Sequence, residues 1–416
     1  MGEGTFINQA KPVKPLTVQR TLRLRLDVPM LLVVITLIVF GLVMVFSAST
    51  DFSFMVLGEA PTYLFVHQVL YVGVGLVVAA VLSLIDYHFY RRLVVPMLLI
   101  TLAALLAVIV FRAPSNITIR TLVGGSVQPS ELAKLVIIIY LSFWLYSKRE
   151  VINNISFGLI PLGVILGITG GLIWKQPDLS ATATIFILGG ILFFLAGGAW
   201  RQIIMLFALG VFVGWAMVTF STTGKDRWTS WIAGLQDMTK STDQVMRTLE
   251  SIIKGSWFGV GIGLGDVKGT GLPLAPSDSI FSVVAEETGL VGSAFVVGLF
   301  CLFLWRGIKI ARRAPDQLGS LLGAGLTIWI VLEAMINMMV IAGLFPVSGN
   351  ALPFISYGGS NMVVTLSAVG IIMNIARQST EIESTEGRSF SAVVDLRRWD
   401  RRRRVSRSRR PASHGR

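Results

Sequence analysis

The stretch 271–287, GLPLAPSDSIFSVVAEE, carries one acid, Asp278, just where a long apolar run begins. A charged side chain at the entrance to a membrane-length segment is costly unless it meets water, a partner or a substrate. Two roles fit it. Asp278 caps the helix that Ser279 and Ile280 open, or it is a general base that takes a proton from a hydroxyl attacking a carbon linked to lipid phosphate. The second role needs cations to receive the departing pyrophosphate. The polar loop before Asp278 supplies them in Arg227 and Lys254, with Gln244 between. It then runs into Gly255, Gly259, Gly261, Gly263 and Gly265. Glycines let backbone approach a ligand closely, and amides in such a turn can cradle phosphate. No Gly-Lys-Ser/Thr closes the run, so it is not a nucleotide P-loop.

Other polar residues stand inside or at the ends of apolar segments. In Ser126-Val-Gln-Pro-Ser-Glu-Leu-Ala-Lys134, Pro129 suits a helix start, and Glu131 and Lys134 share a helix face. They either pair to orient that helix or bind substrate. Asp178, in Lys175-Gln-Pro-Asp-Leu-Ser, either caps the next helix or helps form an outward polar cavity. Glu286 and Glu287 lie two turns beyond Asp278, and buried acids there need partners. Glu333 and Asn337 are four apart, so they share a face and either hydrogen-bond a neighbouring helix or relay protons. The glycine- and proline-rich stretch 343–360, with Ser356 and Gly358, reads as a rigid re-entrant segment lining a cavity.

These residues must be held by membrane helices. The chain has 416 residues, 53% hydrophobic and 14% charged, with mean hydropathy +0.72. A soluble protein of this size cannot bury that much apolar surface, so an all-α polytopic membrane protein is expected. Ten spans are predicted, at roughly 28–48, 64–85, 92–111, 130–146, 155–173, 179–198, 202–220, 280–305, 319–343 and 358–376, the fourth being short. Arg91, Arg92, Lys148, Arg149, Arg201, Arg306, Lys309, Arg312 and Arg313 fall in connections on one side, while 49–63 and 344–357 contain no Lys or Arg. The positive-inside rule then puts both termini in the cytoplasm and the long loop 221–279, with short helices, outside. Residues 1–27 form a basic cytoplasmic arm without a cleavage site, 28–377 the membrane domain and 378–416 a disordered basic tail. From Arg377 to Arg416 there are 12 Arg against five acids. Because this excess follows a membrane segment directly, it implies anionic lipid and not nucleic acid. One cysteine, Cys301, and three histidines exclude a disulfide framework, a thiolate cluster and a histidine metal site.

The chain resembles the SEDS family (shape, elongation, division and sporulation; FtsW, RodA and SpoVE types). The residues that carry the resemblance are Ser47-Ala-Ser49, Gln128-Pro-Ser-Glu-Leu-Ala-Lys134, Gln176-Pro-Asp178-Leu, Gly259-Val-Gly-Ile-Gly263, Leu272-Pro273, Asp278, Ile280-Phe281, Glu286-Glu287, Asn337, Pro346-Val-Ser-Gly349 and Leu352-Pro-Phe-Ile-Ser-Tyr-Gly-Gly-Ser360. They run in family order over about 28–377. The resemblance implies ten helices and a peptidoglycan glycosyltransferase that polymerises lipid II outside the bacterial cytoplasmic membrane. It places the family's catalytic aspartate on Asp278 and its Glu and Lys on Glu131 and Lys134. It also implies a class B penicillin-binding protein, a transpeptidase, as partner, with other divisome or elongasome membrane proteins nearby. Alternatives are a lipid II flippase and a non-catalytic divisome scaffold. The basic tails lean towards the FtsW, division type. The chain departs from the family at Pro276 and Ser279, where a histidine and a phenylalanine are usual. It departs again at Arg120-Thr121, where Arg-Trp is usual, and at Glu333, where glutamine is common. A divalent cation, magnesium or manganese, would suit the pyrophosphate, though only scattered acids are present to hold it.

Overall fold

The computed structural model describes residues 27–111, 128–269 and 272–379. The twelve helices named here are α1 Val28–Met55, α2 Tyr63–Leu84, α3 Tyr90–Val110, α4 Pro129–Ser147, α5 Ile160–Trp174, α6 Leu179–Leu195, α7 Trp200–Phe220, α8 Thr222–Gln236, α9 Asp243–Gly255, α10 Ile280–Arg312, α11 Gln317–Ile341 and α12 Gly359–Ser379. Several open on side-chain caps. Asp27 accepts from the Met30 amide, Asp178 from Ala181, Ser221 from Gly224 and Asp316 from Gly319. Each supplies an acceptor to an amide that the first helical turn leaves without one. Pro129 opens α4 as expected, with Gln128 before it and Glu131 in the first turn.

Among the described residues, nine helices are long and apolar enough to cross a membrane, and α6 is a shorter apolar helix of 17 residues. At 1.5 Å per residue α6 extends roughly 25 Å, a little under a typical hydrocarbon core. The ten expected segments are therefore all helical, but the short one is the sixth. The fourth has 19 residues. The long loop 221–279 holds α8, a single 3₁₀ turn at Met238–Lys240, and α9. The expected basic arm before residue 27, the Arg120-Thr121 position, Gly271 and the tail beyond 379 lie outside the described residues.

α10 and α11 pack along each other, α1 lies against α2 and α10, and α4 contacts α3, α6 and α11. α4, α11 and α12 have most of their length buried, and α7 lies at the edge beside α6 and α8. Both ends of the described chain come to one face of the bundle. There the Arg306 guanidinium makes two bonds to the Asp27 carboxylate, at 2.8 and 2.6 Å, and Gln378 Nε2 donates to Asp86 at 3.0 Å. The opposite face carries the ends of α1, α9 and α11 and the start of α10.

α10 is broken at Gly289, whose φ of 68° and ψ of −165° are not helical. A break of this kind frees carbonyls that need other donors. The amides of Val260 and Gly261 donate to the carbonyls of Glu286 and Glu287, and those of Leu290 and Val291 to Ser256 and Trp257. The glycine turn thus docks on α10 backbone to backbone. A Cβ on Gly259, whose φ is 80°, would lie 2.2 Å from the Glu287 carbonyl oxygen.

Candidate functional site

Asp278 is half-buried and stands two residues before α10. The cap position of that helix belongs to Ser279. The segment carrying it is held through three consecutive carbonyls. The Tyr357 amide donates to the Pro276 carbonyl at 2.8 Å, Ser356 Oγ to that of Ser277 at 2.7 Å and Asn337 Nδ2 to that of Asp278 at 2.9 Å. The Asp278 backbone is therefore fixed by the 352–358 loop and by α11, while its carboxyl group faces the turn at Gly349. A Cβ on Gly349 would be 3.5 Å from Asp278 Oδ2. Ser356 is buried, and its hydroxyl also accepts from the Leu352 amide. The Gly358 amide donates to Gln68 Oε1, and Gln68 Nε2 donates to the Ser356 carbonyl. Both residues, expected at the substrate, brace the loop that holds Asp278.

The departures at Pro276 and Ser279 fall inside this bracing. Ser279 Oγ accepts from Gln244 Nε2 at 3.0 Å and donates to the Pro273 carbonyl at 2.9 Å. Gln244 thus ties α9 to the residue next to Asp278. Arg227 Nη1 reaches the Ser348 carbonyl at 3.4 Å, one residue from Gly349. The same arginine lines a cavity of about 290 Å³ with Trp231, Val245, Leu249 and Val347. Lys254 is further out. Its ammonium pairs with Glu250 at 3.0 Å, and that hydrogen bond raises its pKa above the usual lysine value.

Glu131 and Lys134 form the expected pair, at 2.8 Å, but a second acid joins them. Lys134 is fully buried and also donates to Glu333 of α11, and Asn361 Nδ2 donates to the other oxygen of Glu131 at 3.1 Å. The Trp329 ring lies 5.9 Å from the Lys134 ammonium. Glu333 and Asn337 are one turn apart on α11, so this cluster and the Asp278 clamp are successive rungs on one helix face. Asp178 does two things at once. It caps α6, and its Oδ2 accepts from Ser130 at 3.0 Å and from Gln128 at 3.2 Å. It locks the start of α4 onto α6, four residues from Lys134.

Gly259, Gly261 and Gly263 do not form an open phosphate cradle. The Gly259 amide bonds the Gly255 carbonyl, that of Gly261 bonds Glu287, and the Gly263 carbonyl accepts from Lys268. The amides of Val260 and Gly261 answer the carbonyls freed by the break at Gly289. Glu286 Oε1 gathers the amides of Asp266 and Val267 at 2.9 and 3.2 Å. Glu287 Oε1 accepts from Ser47 Oγ at 2.6 Å and from Lys268 Nζ at 2.7 Å. Lys268, Ser47, Asn361 and Gln68 were not singled out as site residues from the sequence. Their partners lie more than 200 residues away in several cases, and the available signals were the Ser47-Ala-Ser49 motif and an isolated lysine beside a glycine turn.

Among the described residues no three His, Cys, Asp or Glu side chains gather to hold a metal. The arrangement offers one half-buried carboxylate on a fixed backbone, an arginine close by, and buried charge pairs that lock the surrounding helices. This suits proton abstraction next to an anionic leaving group.

A probable peptidoglycan glycosyltransferase FtsW from Trichlorobacter lovleyi is 35% identical over 359 residues, covering 84% of this chain and 93% of that protein. Stage V sporulation protein E of Bacillus subtilis is 34% identical, covering 84% and 97%. Among solved structures, a chain of a peptidoglycan synthase complex described as coordinating polymerization and crosslinking superposes with a TM-score of 0.69 at 24% identity, covering 85% of this chain and 98% of that one. The rod shape determining protein RodA of Thermus thermophilus gives 0.62 at 24% identity, covering 86% and 98%. The two structures share the fold. With the cell cycle protein model for FtsW, RodA and SpoVE matching residues 28–381, the chain belongs to the FtsW/RodA/SpoVE family, the SEDS family of multi-pass membrane proteins.

Proposed function

We propose that the protein is a peptidoglycan glycosyltransferase of the FtsW type, which polymerises lipid II at the outer face of the bacterial cytoplasmic membrane. Asp278 acts as general base. It takes the proton from an acceptor sugar hydroxyl as that oxygen attacks the donor's pyrophosphate-linked carbon. The new C–O bond forms as the bond to the pyrophosphate breaks, and the electron pair leaves with the lipid pyrophosphate. Arg227, one residue's reach from the Gly349 turn, is placed to meet that negative charge. Glu131, Lys134 and Asp178 position α4 and α11 around the base. Gln244, Ser356 and Gly358 position the segment that bears it. Lys254, exposed at the rim, is available to the substrate's phosphates. A magnesium or manganese ion would find a single carboxylate here, Asp278, with the substrate's own phosphate oxygens supplying further ligands.

The observation that carries this reading is the three-carbonyl clamp on residues 276–278, which fixes the Asp278 backbone at the entrance of α10. The distribution of Lys and Arg over the short connections supports termini in the cytoplasm and Asp278 facing out. The family's relatives named for peptidoglycan glycosyltransfer support the substrate class. A class B penicillin-binding protein is the expected partner, and the basic tail is expected on anionic lipid. The test is polymerisation of purified lipid II by wild type and Asp278→Asn, with and without the transpeptidase, in EDTA and in magnesium. Wild type makes glycan and the variant does not. Normal polymer yield from a folded Asp278→Asn protein would overturn the assignment.

A further inference from the structure

At the face of the bundle opposite Asp278, a groove of about 1040 Å³ opens between α3 and α4 beside the start of α11. Leu318 of its wall and Asn337 at the Asp278 clamp are separated by roughly 28 Å of helix. Three guanidinium groups border the groove: Arg91 and Arg92 at the start of α3 and Arg149 just past α4. All three are exposed, and among the described residues none makes an ion pair. Two acids share the rim. Asp316 already accepts from Tyr87, His88 and the Gly319 amide, which leaves Glu150 against three arginines. The α4 wall is aromatic: Tyr140 and Trp144 are one turn apart, and the Arg149 guanidinium lies 5.6 Å from the Tyr146 ring.

Below the arginines the α3 surface turns wholly apolar. Val95, Leu99 and Leu106 follow Arg92 at helical spacing, and 53%, 61% and 51% of their surface is exposed. Cationic head and open aliphatic stripe succeed one another along α3, and the aromatic collar stands beside them on α4. Aromatic residues of this kind collect at membrane interfaces, and basic pockets between membrane helices hold lipid head groups. We propose that this groove binds an anionic phospholipid, with its phosphodiester head among Arg91, Arg92 and Arg149 and an acyl chain along Val95, Leu99 and Leu106. Charge excludes the chain's own ends as occupants: the tail from Arg377 carries 12 Arg against five acids, and the first 27 residues are basic as well. A soluble anion would leave the aliphatic stripe without a role.

The test uses the full chain in nanodiscs doped with phosphatidylglycerol or phosphatidylcholine carrying a photoactivatable acyl chain. Crosslinked peptides are then mapped. Phosphatidylglycerol is expected to label α3 and α4 peptides. Labelling falls by roughly fivefold for each arginine removed in the series Arg91→Gln, Arg92→Gln and Arg149→Gln. It stays unchanged in Arg312→Gln/Arg313→Gln, a loss of charge elsewhere on the same face. Thermal melts separate lost binding from lost folding, and the single variants serve if the triple variant unfolds. Equal labelling by phosphatidylcholine, or indifference to the arginines, would overturn the proposal. Displacement by soluble glycerol phosphate or by a polyprenyl pyrophosphate would overturn it too, in favour of a free anion or of the substrate lipid. None of these readouts depends on polymerase activity.

Discussion

Asp278 stands at the mouth of α10, and Glu286 and Glu287 lie two turns further in, yet their surroundings differ in every respect. Both glutamates are buried, with one oxygen of each taken up by the chain: loop amides on Glu286, and Ser47 and Lys268 on Glu287. Asp278 is half-buried, and its carbonyl and that of Ser277 accept from Asn337 and Ser356. A buried carboxylate must be paired, so its charge is committed to structure. Acids a few turns apart at one helix entrance thus stand in two settings, a buried clasp and a half-buried position on a clamped backbone.

This contrast can be broken by experiment. Asp278→Asn should cost polymerisation about 10²–10⁴-fold while the melting temperature stays near wild type. If this variant melts as poorly as one in the buried pairs, the distinction fails. Lys268→Met leaves Glu287 buried without its cation and should destabilise by about 3–5 kcal/mol in denaturant titrations. Lys134→Met should do the same to Glu131 and Glu333, with partial rescue by adding Glu333→Gln. Gly259→Ala forces a side chain into a positive φ and against the Glu287 carbonyl. About 1–3 kcal/mol of stability should go, read as a lower thermal midpoint. Ser356→Ala sharpens the comparison most finely. It removes one of the three donors on the Asp278 segment, at about 1 kcal/mol of stability. Turnover should fall more than that destabilisation accounts for, with substrate affinity unchanged, because the base is displaced.

Much of the site could be read from the sequence as residues, and little of it as partnerships. The Glu131–Lys134 pair was visible because three-residue spacing on a helix is local. Glu333 as the second acid on Lys134 was not, since it lies 199 positions away. Asp178 left two roles open; it caps α6, and its other oxygen holds Ser130 and Gln128 at the start of α4, a partnership no local spacing announced. The glycine run suggested a phosphate cradle. Nothing local announced that Gly289 would break α10 and draw the amides of Val260 and Gly261 onto its carbonyls. Ser356 and Gly358 were recognised by type and spacing, but their use in bracing residues 276–278 depends on where the loop after α11 folds back.

By itself the sequence determined the apolar segments, their approximate ends and the few polar residues set among them. Hydrocarbon requires about twenty consecutive apolar residues to be helical, and that requirement is written locally. Only the tertiary structure decided which groups clasp Glu286, Glu287 and Glu333 and which hold the backbone at Asp278. That outcome rests on contacts between segments hundreds of residues apart: Ser47 with Glu287, Lys134 with Glu333, Tyr357 with Pro276. A carboxylate's role follows from the donors that surround it, and those donors come from other helices.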